Sequence, residues 1–230
     1  MRAHWIKELQ VQEAYALRDE SLHHLVNVIR IEVGEELMLL NGAGLEIVTN
    51  VEAISKKEMK LKFIRQAFHE RGYIFDLALG MPKREALELC LKEATELGFR
   101  NIYLVRSDYS QMRIPDPDRM EKLMVSALEQ SNAPFLPVVK EANWELLPWN
   151  MYEESLLMDS QAHIPPKKTN PAPNAPRLLI IGPEGGFSPK EVTFLHAIER
   201  IRVVNLPTPI LRTPTALPVG AGLMIESLLK

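Results

Sequence analysis

The chain has 230 residues, a hydrophobic fraction of 46%, a charged fraction of 25% and a net charge of -3. These values predict an ordinary soluble globular protein of one large or two small domains, and no apolar run approaches the roughly 18–20 residues of a membrane span. The slight acidity gives no overall basic footprint for nucleic acid, while leaving room for a basic patch on one face.

The opening segment, MRAHWIKELQ, lacks the continuous apolar core of a secretory signal. The single cysteine, Cys90, excludes an internal disulfide framework and fits a reducing, cytoplasmic setting. It stands in ELCLKEA on an apolar helical face, so it reads as a packing residue.

From His23 to Ala67 apolar and polar positions alternate, with turn signals at VGEE and NGAG. This predicts a small β-sheet or barrel whose core includes Leu37, Leu39, Ile47, Val51 and Leu61, with NGAG closing a tight hairpin. His23 and His24 stand before a predicted strand without histidine or cysteine partners at zinc-like spacing, so no metal site is expected.

After Gly72 the pattern changes. YIFDLALG reads as a strand, and KREALELCLKEATELG as a helix with Leu87, Leu91, Ala94 and Leu97 on one stripe and Gly98 as its stop. IYLV is a short buried strand. DRMEKLMVSALEQS is a second helix, with Asp118 and Glu121 in capping-box spacing. SLLMD, RLLII and IRVVNL supply further strands, so the region is an α/β unit with a largely parallel sheet. Between Asp159 and Arg177, five prolines predict an extended loop.

Two segments carry candidate chemistry. In LLIIGPEGGFSPKEV a strand ends at Ile181 and a helix starts at Ser188, with Pro189 in the first turn and Glu191 three residues after the cap. GPEGGF is therefore a strand-to-helix turn at the carboxyl edge of a sheet, where open α/β sheets bind ligands. It matches neither nucleotide glycine pattern, and Glu184 would repel a phosphate at the helix start. A ligand without phosphate, or with positive charge, suits it better; a purely structural turn stays open beside that reading. In VVNLPTPILRTPTALPVGAG four prolines argue against regular structure, and Arg212 is the one charge. It is either a surface cation with a buried stem or a fixed cation aimed into a pocket.

GPEGGFS (Gly182–Ser188) followed by LPTPILRTPTA (Leu206–Ala216) resembles the cofactor loops of the SPOUT methyltransferases. The nearest likeness is to the bacterial ribosomal small-subunit RNA methyltransferases that modify uracil N3. HHLVNVIRIEVGEEL, NGAG, KREALELCLKEATELGF and SALEQS agree with that family in order, so the resemblance covers nearly the whole chain. It implies an N-terminal PUA-like β-barrel that binds RNA (residues 1–70) and a SPOUT α/β domain (71–230) with a parallel sheet and a deep trefoil knot. It further implies a homodimer acting on ribosomal RNA in the small subunit, with S-adenosylmethionine as cofactor and neither membrane nor metal. The implied cofactor residues are Leu104, Gly182, Pro183, Gly185, Gly186, Leu206, Ile210, Leu211 and Thr213. Arg212 would stabilise the anion at uracil N3 and Glu184 would take or relay its proton. Arg30, Lys56, Lys57 and Lys83 are the candidate RNA contacts. S-adenosylmethionine has a sulfonium and no phosphate, which suits an acidic glycine turn.

The chain departs from the family at three places. Pro214 replaces a glutamate between the threonines, Pro207 replaces a glycine, and Asn132-Ala133 follow EQS where arginine is usual. Two alternatives share the fold: methylation of another RNA, and RNA binding without turnover.

Overall fold

The computed structural model describes residues 1–110, 116–162, 171–172 and 174–229; most of the proline-rich segment expected to form a loop lies outside them. The chain forms two compact units. Met1–Glu70 and Leu128–Phe135 make the first, Arg71–Ala127 and Leu136–Lys230 the second.

In the first unit, strands β1 (Arg2–Trp5), β2 (Ala14–Leu17), β3 (Glu36–Leu40), β4 (Leu45–Ile54) and β5 (Met59–Phe68) form one sheet in the order β1-β3-β4-β5-β2. β1 runs parallel to β3 and the remaining pairs are antiparallel. The period-2 pattern places Leu37, Leu39, Ile47, Val51 and Leu61 in the core with no exposure. NGAG closes the β3–β4 hairpin, where the Asn41 side-chain oxygen accepts from the amides of Ala43 at 2.7 Å and Leu45 at 3.0 Å. Gly42 and Gly44 take φ of 71° and 100°, values that glycine adopts without strain.

One expectation fails in this unit. His23 to Val28 is not extended: α1 (Asp19–His23) runs into a π-helical turn, His24–Val28. Leu22, Leu25, Val26 and Ile29 also fit a helical stripe, and all four pack in the core while His23 and His24 face solvent. Burial of that stripe outweighs the local alternation.

The second unit contains β6 (Phe75–Gly80), α2 (Arg84–Glu96), β7 (Asn101–Val105), α3 (Pro117–Ser131), β8 (Val138–Ala142), β9 (Glu154–Met158), β10 (Arg177–Ile181), α4 (Pro189–Ala197), β11 (Ile201–Val204) and α5 (Thr213–Glu226). The last turn of α3 belongs to the first unit. The six strands form one parallel sheet in the order β11-β9-β10-β6-β7-β8. Alternate residues feed two cores. Leu77, Leu79, Leu104 and Leu179 pack with α2, α3 and α5 on one face. Ala78, Val105, Leu157, Leu178 and Ile180 pack with Trp144 and α4 on the other. At the amino edge the fully buried Asp76 accepts from Arg100, from the Asn101 backbone and side chain, and from the Tyr152 hydroxyl. Every acceptor there has a donor, so this buried carboxylate braces the sheet.

Two helix starts differ from expectation. α3 opens at Pro117, and Asp116 caps it by accepting from the Asp118 amide at 3.1 Å, so the Asp118 cap is displaced by two residues. Proline suits that first helical position, because its missing N–H has no intrahelical partner there. The segment after Arg212 is helical despite its prolines: Pro214 sits in the first turn of α5, and Pro218 lies inside the helix. Pro218 removes one backbone bond, but Ala216, Leu217, Gly220, Ala221 and Met224 bury a continuous apolar face that offsets it.

Candidate active site

The carboxyl edge of the parallel sheet gathers the groups singled out by the sequence. β10 ends at Ile181, and Gly182 and Pro183 are buried directly after it. Pro183 lies so close to the end of β6 that a Cβ on Gly80 would stand 2.6 Å from its ring. Glu184 reaches the start of α2, where its two oxygens accept from the Lys83 amide at 3.0 and 3.2 Å. A carboxylate at that helix start complements the N–H groups the helix leaves unpaired. One shared amide leaves further lone pairs on the exposed carboxylate open.

Gly185 packs against the turn after β7, and a Cβ there would stand 2.9 Å from the Tyr109 Cβ. Gly186 has φ of 72°, and no atom lies within 4 Å of where its Cβ would be. The turn therefore presents bare backbone to open space, as the close approach of a ligand requires.

The far end of the turn is fixed by a buried carboxylate. Ser188 caps α4, and Glu191 completes the capping box foreseen from the sequence. Glu191 is only 6% exposed. One of its oxygens accepts from the Ser107 hydroxyl at 2.7 Å, the Asp108 amide at 3.0 Å and the Trp144 indole at 2.7 Å; the other accepts from the Ser188 amide at 2.8 Å. The Ser188 hydroxyl donates in turn to Asp108. Trp144 meets Phe187 edge-on, with centroids 5.7 Å apart, and the Phe187 ring fills the space beside Gly182. Three separate segments thus set the shape of GPEGGF. The capping signal locates Glu191, but its links to Ser107, Asp108 and Trp144 have no signal in the sequence.

The second candidate segment closes the same edge. The buried Thr213 hydroxyl donates to the Gly182 carbonyl at 3.2 Å, joining the start of α5 to the glycine turn. Arg212 is the N-cap residue of α5; its side chain is exposed and has no ion-pair partner among the described residues. Leu206 and Thr208 form a tight turn about Pro207, with the Thr208 amide 2.7 Å from the Leu206 carbonyl. Ile210 is strongly exposed, and Leu211 is half-buried against the core. Leu104 is fully buried beneath the edge.

Of the proposed RNA contacts, Arg30, Lys56 and Lys57 are exposed in the first unit, the two lysines at the tip of the β4–β5 hairpin. Lys83 is exposed in the second unit, and its amide serves Glu184. On the strand that follows, Lys60 and Lys62 lie 3.7 Å from Glu58 and 3.8 Å from Glu52, which offsets their charge. Burial and the neighbouring acids Glu93 and Glu184 push the Cys90 thiol up, in keeping with a packing role.

Residues 70–225 match the model of the RNA methyltransferase domain family. The chain belongs to that family. Its residues 17–64 also match the RNA methyltransferase PUA domain. Curated relatives of this RNA methyltransferase include the ribosomal RNA small subunit methyltransferase E of Bacillus subtilis (strain 168). That protein is 26% identical over 227 residues, covering 90% of this chain and 88% of the relative. The enzyme of the same name from Rickettsia conorii is 25% identical over 206 residues, covering 86% and 83%. Among solved structures, the ribosomal RNA small subunit methyltransferase E of Neisseria gonorrhoeae bound to S-adenosyl methionine shares the fold. Its TM-score is 0.83 at 23% identity, with 98% of each chain covered. A putative methyltransferase of Legionella pneumophila in complex with the same cofactor gives a TM-score of 0.79 at 24% identity, covering 98% and 97%.

Proposed function

We propose that this protein uses S-adenosylmethionine to methylate uracil N3 in small-subunit ribosomal RNA. The observation that carries the reading is the junction of the glycine turn with the start of α5 through Thr213 and Gly182. It joins the two candidate loops at the carboxyl edge, beside the exposed Arg212 guanidinium. At Gly186, with φ of 72° and open space where a Cβ would stand, the backbone admits close approach by a ligand. Family membership and the names of the relatives point the same way.

S-adenosylmethionine supplies a methyl group on a cationic sulfur when bound. Gly182, Pro183, Gly185 and Gly186 would hold it from one side, and Leu206, Ile210, Leu211 and Thr213 from the other, with Leu104 supporting the edge from below. The contribution of these residues is orientation, which recovers on the order of 7–11 kcal/mol when reactants are fixed in line. Arg212 would stabilise negative charge on the uracil as N3 loses its proton. Glu184, tied to Lys83, would keep the turn and the start of α2 in register and take or relay that proton on a lone pair the amide leaves open. The first unit would bind RNA through Arg30, Lys56 and Lys57, with Lys83 adding a phosphate contact from the second. The protein would act in the cytoplasm as a homodimer, with its C-terminal segments forming a trefoil knot.

Pro214 stands where a first helical turn accepts proline, and Pro207 stands in a turn that it stabilises. Both replacements are thus compatible with an active loop, which favours the enzyme over a binding protein without turnover. Calorimetric titration with S-adenosylmethionine tests the site: micromolar binding is expected, and no heat at millimolar cofactor from folded protein would overturn it. Arg212→Ala should keep that affinity and lose about 10²–10³ in kcat. Full turnover in the variant would remove Arg212 from the chemistry.

A further inference from the structure

The turn after β7 presents an aromatic ring that none of the roles above employs. Tyr109 is 46% exposed, yet its backbone is held on both sides. The preceding Asp108 donates its amide to buried Glu191 and accepts from Ser188. The flanking serines close the turn, with the Ser110 amide 2.9 Å from the Ser107 carbonyl and the Ser107 amide 3.1 Å from the Ser110 hydroxyl. Its Cβ is seated against Gly185, where any side chain would collide with it. With backbone and Cβ held, only two side-chain torsions remain to the exposed ring, which is thus placed to meet a flat partner beside the glycine turn assigned to the cofactor.

We propose that Tyr109 is a substrate-binding residue whose ring stacks on the target base of a single-stranded or extruded RNA segment. The inference rests on the methyltransferase reading and deepens it. N3 lies on the pairing edge of uracil, so the base must leave any duplex before it can react. An unpaired base loses its stacking neighbours, and proteins replace them with aromatic faces. The ring is uncharged and sequence-tolerant, so it holds the plane of the base and leaves the pairing edge free. Glu191 is then a positioning residue: through Asp108 and Ser107 it sets the turn that carries the ring.

Tyr109→Ala and Tyr109→Phe test this in the full-length protein, with methyl transfer to small-subunit ribosomal RNA and cofactor calorimetry measured side by side. The alanine variant should lose about ten- to hundredfold in kcat/KM for RNA. It should keep the wild-type Kd for S-adenosylmethionine, and the phenylalanine variant should restore turnover. Wild-type kcat/KM in the alanine variant would overturn the inference and leave the methyltransferase reading standing. A parallel loss of cofactor affinity would also overturn it, since the ring would then be packing the cofactor turn. Absence of turnover in the wild-type protein would remove both.

Discussion

Glu191 is a carboxylate whose removal has a calculable cost. It is 6% exposed and accepts four hydrogen bonds, three of them from groups that cannot turn away: the Asp108 and Ser188 amides and the Trp144 indole. The Ser107 hydroxyl can rotate to another acceptor. Each stranded buried donor costs about 1–3 kcal/mol, and water entering the space left by Glu191→Ala recovers part of it. A destabilisation of about 3–5 kcal/mol is expected, a large share of the ~5–15 kcal/mol typical of a folded domain. Glu191→Gln keeps the volume and an oxygen for the Ser107, Asp108 and Trp144 donors but turns its NH2 toward the Ser188 amide, so about 1–3 kcal/mol is expected. Urea unfolding followed by tryptophan emission reads both effects, and Trp144 loses its bond in the alanine variant. An alanine variant within about 0.5 kcal/mol of wild type, or a glutamine variant as unstable as alanine, would refute the network as the fastener of the turn.

Further outcomes follow from other contacts. Burial, reinforced by the negative Glu96, pushes the Glu93 carboxyl up to about 7. Folding therefore favours its protonated form, so the stabilising contribution is complete below the ordinary value of 4.5 and fades as pH rises toward 7. Glu93→Gln should match wild type in Tm at pH 4 and exceed it at pH 8; a constant gap across that range would contradict the assignment. Gly185→Ala introduces a methyl 2.9 Å from the Tyr109 Cβ, so the turns must separate. It should weaken cofactor affinity at least tenfold with a small change in Tm, and unchanged affinity by calorimetry would show that the contact does not shape the site. Gly220→Ala places a Cβ 2.6 Å from Leu179 in the sheet core, and overpacking there should cost about 1–3 kcal/mol. A neutral or stabilising result in urea unfolding would show that the site can expand.

Much of the architecture is written in local patterns. The strand cores at Leu37, Leu39, Ile47, Val51 and Leu61, the α2 stripe and the Ser188 capping box each depend on residues close in sequence. Where two periods fitted the same residues, as at Leu22–Ile29, the choice depended on which face the core would cover. Helix α5 was obscured because its prolines oppose the apolar face that burial rewards. β8 gave little signal, being a short, largely exposed edge strand. At the site, glycine spacing and the capping residues mark the turn. The bonds from Glu184 to Lys83 and from Glu191 to Trp144 join positions far apart in sequence. No local pattern carries such pairings, so the positioning of Tyr109 becomes visible only in the folded chain.

The most direct test of the methyltransferase reading is transfer of a labelled methyl group from S-adenosylmethionine to small-subunit ribosomal RNA, followed by mapping of the modified nucleotide. The reading expects incorporation at N3 of a uridine by the wild-type protein, slowed about 10²–10³-fold in Arg212→Ala. Folded, cofactor-binding protein that transfers no label to ribosomal RNA, or places it on another base or atom, would contradict it.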